Sequence, residues 1–154
     1  LQTQLDISKN KEKTDLTIKM LERWVASEMR DHRTLAWDHL SRLTTNNNDL
    51  KIHMSSLSSS SPDVSRSFSN VCQFISDLKK FVDTDRLDNE LVYELFVGPI
   101  YGWFVFIEAI YIQPRDRIGE KRPQGARVDY DDVQEWYAEM AKFKNWFDSQ
   151  KPIT

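Results

Sequence analysis

Cysteine is almost missing from this chain: Cys72 is the only one in 154 residues, so no internal disulfide can form. With no visible signal peptide, that usage predicts a reducing compartment, the cytoplasm. Glycine is scarce as well, and none of its four residues falls in a Walker loop or a Gly-rich dinucleotide fingerprint. The HExxH zinc motif and the nucleophile elbow are absent too. No alternating strand pattern and no internal repeat occurs. Neither sign of charge dominates, because 21 Lys and Arg stand against 24 Asp and Glu. The net charge of −3 and a pI near 5.6 argue against broad coating of duplex DNA.

What is present is ordinary globular material, 40% hydrophobic and 29% charged. A chain this long fits one domain, 1–154, and buries roughly 70% of the surface it exposes when unfolded. Hydrophobic spacing predicts an all-α, compact bundle of about five helices. Val64, Phe68, Val71, Cys72, Ile75, Leu78, Phe81 and Val82 recur at three- and four-residue intervals and define a helix over 63–82. Asp83-Thr84-Asp85 breaks it, and Asp88 is the expected N-cap of a short helix carrying Leu91, Tyr93, Leu95 and Phe96. Val133, Trp136, Tyr137, Met140, Phe143 and Phe147 follow an acidic start and predict a helix over 130–148. Leu16, Met20, Leu21, Trp24, Val25 and Met29 form another stripe. Leu35, Trp37, Leu40 and Leu43 continue it with a shift of phase, so one long helix or two broken ones satisfy the pattern. Residues 1–13 read as a polar lead-in and residues 44–62 as a flexible Ser/Asn-rich loop.

Residues 95–112, LFVGPIYGWFVFIEAIYI, are the most apolar stretch and sit at the lower length limit for a membrane span. Gly98-Pro99 and Gly102 interrupt it, and Glu108 would lie unpaired in lipid. The expectation is a central helix over 99–112, buried on most sides, with Pro99 in its first turn. The chain starts Leu1-Gln2 with no initiator methionine, which predicts a fragment or processed product with an N-terminal segment, such as a membrane span, removed.

Candidate chemistry narrows quickly. Glu28, His32 and His39 have helical metal-like spacing, but a zinc site needs three or four converging ligands and a solvated face explains them. The carboxylate pairs Asp83 with Asp85 and Asp131 with Asp132 border helix ends, where capping accounts for them; a metal-dependent nuclease built on them is the disfavoured enzymatic reading. Cys72 lies on an apolar stripe and reads as core. No cofactor is called for.

The segment QPRDRIGEKRPQGARVD, 113–129, survives that triage. It holds Arg115, Arg117, Lys121, Arg122 and Arg127 against Asp116, Glu120 and Asp129, and is long for a connection inside a compact domain. Arginine forks match phosphate oxygens, and Trp103, Tyr111 and Tyr130 nearby offer rings to stack a base. Those eight basic and aromatic residues are the candidate ligand site. The alternative is a solvated hairpin between two helices, and the five tryptophans are more often core than cofactor box.

LDNELVYELFVGPIYGWFVFIEAIYIQPRDR at 87–117, with DYDDVQEWYAEMAKF at 129–143, resembles a bacterial family of small helical domains of unknown function, often carried behind an N-terminal membrane span. More loosely, the chain is similar to the membrane-bound effectors of type III CRISPR systems that sense cyclic tetra-adenylate. The resemblance implies a non-enzymatic sensor at the cytoplasmic face of the membrane, binding a cyclic oligoadenylate and assembling as a dimer or tetramer. A protein- or lipid-interaction module without a nucleotide ligand is the competing class.

Overall fold

The computed structural model describes residues 2–46, 60–111 and 130–150. These form five helices and, among the described residues, no strand: α1 Gln2–Val25, α2 Ser27–Asn46, α3 Pro62–Asp83, α4 Asn89–Tyr111 and α5 Tyr130–Ser149. The all-α expectation holds. Residues 47–59 and 112–129 of the two expected loops lie outside the described residues.

The helix at the centre is α3. Twelve of its 22 residues are buried, among them Phe68, Phe74, Ile75 and Leu78 with almost no exposed surface. The expected central helix, in the apolar stretch at 95–112, is buried along one broad face through Phe96, Ile100, Trp103, Phe104, Phe106 and Ile107, with Gly98, Val105 and Glu108 exposed on the other. It is the one described helix long and apolar enough to cross a membrane, and 39% of its window Asn89–Glu108 is buried in the fold. Hydropathy predicts apolarity but not how many neighbours a helix has. The small side chain of Ser67 lies where α2 packs along α3, and His32 Nδ1 meets its Oγ at 3.0 Å. On its other side α3 meets α5, which packs along α4. One hydrophobic cluster draws residues from all five helices.

Two boundaries differ from expectation for identifiable reasons. The polar lead-in is helical from Gln2 onward. It contains no glycine or proline and is rich in Gln, Lys and Glu, so it extends the packed part of α1 although residues 3–12 are all exposed. The short helix and the 99–112 helix are in fact one, with Pro99 inside it. Proline withholds the N–H that Leu95 carbonyl needs and costs about 3 kcal/mol in a helix interior. Burial of Phe96, Ile100 and Trp103 on either side stabilises by about 1.5–3 kcal/mol each, so packing outweighs the break. The N-terminal stripe does break, at Ala26. Trp24 and Met29 both reach the core, yet five residues on one helix point in directions well apart. Resetting the helix at Ala26 brings Met29, Ala36 and Leu40 inward, while Leu35 and Trp37 stay exposed.

Helix ends are built as their sequences suggest. Among the described residues, Asp85 is the non-glycine residue with positive φ, at 56°. Its N–H donates to Val82 O at 3.1 Å and Arg86 N–H to Phe81 O at 3.0 Å, the paired bonds of a Schellman stop for α3. Asp88 caps α4 by accepting from Leu91 N–H at 3.2 Å.

Candidate functional site

The five cations of the expected site, Arg115, Arg117, Lys121, Arg122 and Arg127, lie outside the described residues. Tyr111 ends α4 and Tyr130 starts α5, so the segment between them connects two helices that pack on each other. Trp103 does not fit its expected role. It is 3% exposed, edge-on to Trp37 at a centroid distance of 5.2 Å and close to Phe68 and Phe106. A ring held in the core this way has no free face for an incoming base; its helical position, on the buried flank of α4, decides that. It is also eight residues, about 12 Å, from Tyr111 along the helix.

His32, Asp83 and Asp85 have structural partners. His32 bonds Ser67, and no group of three His, Cys, Asp or Glu side chains converges among the described residues. Asp83 pairs with Lys79, and Asp85 with Lys13 at 3.0 Å. Cys72 is buried, and that burial pushes its thiol pKa well above the ordinary value. Lys79, only 7% exposed, reaches across the α3–α5 seam to Glu139 at 3.0 Å. Burial alone would lower its pKa, but the hydrogen bonds to Asp83 and Glu139 and their charges outweigh it, so the net direction is up.

A cleft that sequence reasoning did not find opens between α2 and α4. Its volume is about 350 Å³, and it is lined by Trp24, Arg33, Thr34, Trp37, Asp38, Gly98, Pro99, Gly102 and Trp103. The two helices contribute with the same spacing: positions 33, 34, 37 and 38 face positions 98, 99, 102 and 103. That is one face of each helix over two turns. On α4 the face is nearly bare, since a Cβ added at Gly98 would meet nothing within 4 Å. At Gly102 a Cβ would come within 3.1 Å of Trp37 Cη2, so the indole rests on the glycine and forms the rim. Trp37 is 40% exposed there and accessible from solvent.

Arg33 supplies the charge. Its guanidinium carbon lies 4.5 Å from the centroid of the Trp24 ring, and its Nε is buried with no hydrogen-bond acceptor. Burial first, and the charge of Arg30 second, lower its pKa from 12.5, though an arginine remains protonated at neutral pH. The sequence signal for this cleft is Gly98-Pro99 and Gly102 together with Arg33 and Trp37 at matched spacings; within one helix, glycine and proline read only as interruptions.

Comparison with protein-family models, with curated proteins and with solved structures gives no match to this chain.

Proposed function

We propose that this chain is a non-enzymatic sensor domain of a membrane-associated antiviral defence effector, acting at the cytoplasmic face of the membrane and binding a cyclic oligoadenylate through 113–129. The observation that carries the reading is the charge of that segment, five cations against three acids in a chain of net charge −3. It joins two helices that pack on each other. A cyclic, symmetric anion favours a symmetric receptor, so a dimer or tetramer can surround four phosphates with few residues from each copy. Binding energy that differs between two states of the assembly would then drive the attached membrane segment.

The test is thermal stability against cyclic and linear oligoadenylates, cyclic dinucleotides and inorganic polyphosphate, with ligand concentration varied. A saturable rise for one cyclic adenylate is the expected result, because a ligand that prefers the native state stabilises it. Arg115→Ala, Arg117→Ala and Arg122→Ala together should abolish that rise with little change in the ligand-free midpoint. A response to every polyanion alike would sink the sensor reading.

A second reading, an interaction module for protein or lipid, is favoured by one specific observation. The apolar helix α4 leaves part of its surface uncovered by the described fold, with Val105 57% exposed. Under that reading anionic vesicles shift the chain and adenylates do not.

A further inference from the structure

The cleft between α2 and α4 has chemistry more specific than its size. Trp37 and Pro99, with the edges of the buried Trp24 and Trp103, make an apolar lining that favours a flat apolar body. One cation, Arg33, lines it, and one anion, Asp38, lies at its exposed side. A dianion such as a phosphate monoester would therefore meet a single positive charge with a carboxylate nearby, whereas a monoanion is matched by Arg33 alone. The Nε–H of Arg33 is buried without an acceptor and out of a ligand's reach, so a ligand meets Arg33 through the part of the side chain that lines the cleft. A guanidinium takes both oxygens of a carboxylate through paired N–H bonds. Stacking on Trp24 fixes the plane of that fork. The volume of about 350 Å³ stands at the small end of ligand pockets.

We infer that this cleft is a binding site for a small aromatic monocarboxylate, with the carboxylate on Arg33 and the ring against the bare Gly98–Pro99 face, beside the exposed part of Trp37, which itself sits on Gly102. None of these residues belongs to the basic segment. Glycine at 98 keeps the cavity open, since any larger side chain there would point into the empty space. Glycine at 102 lets Trp37 lie close enough to serve as one wall.

Benzoate and its neutral counterpart benzamide are the probes, added to the full chain and followed through the tryptophan indole N–H resonances. Benzoate should shift Trp24, Trp37 and Trp103 along one saturation curve and leave Trp146 still. Benzamide should bind at least about tenfold more weakly, the scale of one charge-assisted hydrogen bond. Gly98→Leu should fill the cleft and remove the saturable shifts while the helical circular dichroism stays intact. Arg33→Met should bring benzoate and benzamide to the same affinity, a change that general loosening of the fold would not produce. If benzoate moves none of the three indoles, or moves them equally in Gly98→Leu, or binds no better than benzamide, the inference is overturned. Arg115→Ala, Arg117→Ala and Arg122→Ala leave these shifts unchanged, so failure here and failure of the oligoadenylate reading are distinguishable.

Discussion

A single backbone angle at Asp85 sets the end of the central helix. Its φ of 56° belongs to the left-handed region, where a Cβ is strained and glycine is not. The ion pair it makes with Lys13 places the Asp85 side chain 76% in solvent, a setting in which such pairs contribute little. Asp85→Gly should therefore raise stability by about 0.5–1 kcal/mol, read as a higher denaturation midpoint at unchanged slope. Two other side chains carry a pH signature. Tyr101 donates to Asp148, and burial first, then that bond and the negative charge, push its pKa from 10.0 up to about 12. Lys79 is also raised. Both hold their protons more tightly folded than unfolded. The stability they supply is complete below pH 10 and lost as pH rises toward 12 and through the raised Lys79 value. Tyr101→Phe should flatten the fall of stability between pH 10 and 12, measured as denaturation midpoints across that range.

Between elements, Thr17 is the small hinge on which two helices depend. It is fully buried, its hydroxyl donates to Lys13 O at 2.7 Å, and it accepts the Asp88 N–H at 2.9 Å. Asp88 in turn caps α4 and accepts from Thr14 Oγ1 at 3.2 Å, so α1 and the start of α4 share one polar junction. Thr17→Val keeps the shape, removes the acceptor and leaves the Asp88 N–H unmet; the expected loss is about 1–3 kcal/mol in chemical denaturation. Asp88 was legible as a cap because Asp before an apolar periodic run has a local meaning. Thr17 was not, since its partner lies 71 residues away. The same division runs through the helices. α3 and α5 were readable from spacing alone, whereas α4 runs through Pro99 because contacts from other helices hold both halves, and no local rule contains those contacts.

At the scale of the whole chain, sequence reading identified the apolar segment but assigned it the central place that α3 holds. It also missed the cleft, which exists only where two helix faces meet. The aromatic residues join the parts: Phe68 on α3 lies against Trp103 of α4 at 6.2 Å and Trp136 of α5 at 6.3 Å, beside the α2 contact at Ser67. It has no exposed surface. Truncating such a ring removes its transfer energy and leaves a cavity, about 3–5 kcal/mol together. That is a large share of the 5–15 kcal/mol typical of a domain. If one core unites α1 to α5, Phe68→Ala should weaken every element at once. Far-ultraviolet circular dichroism and tryptophan fluorescence should then fall in a single coincident transition at lower denaturant. Two separated transitions, with α2 and α3 melting apart from α4 and α5, would mean that the helix pairs are independent units and that the cleft between α2 and α4 opens when they part.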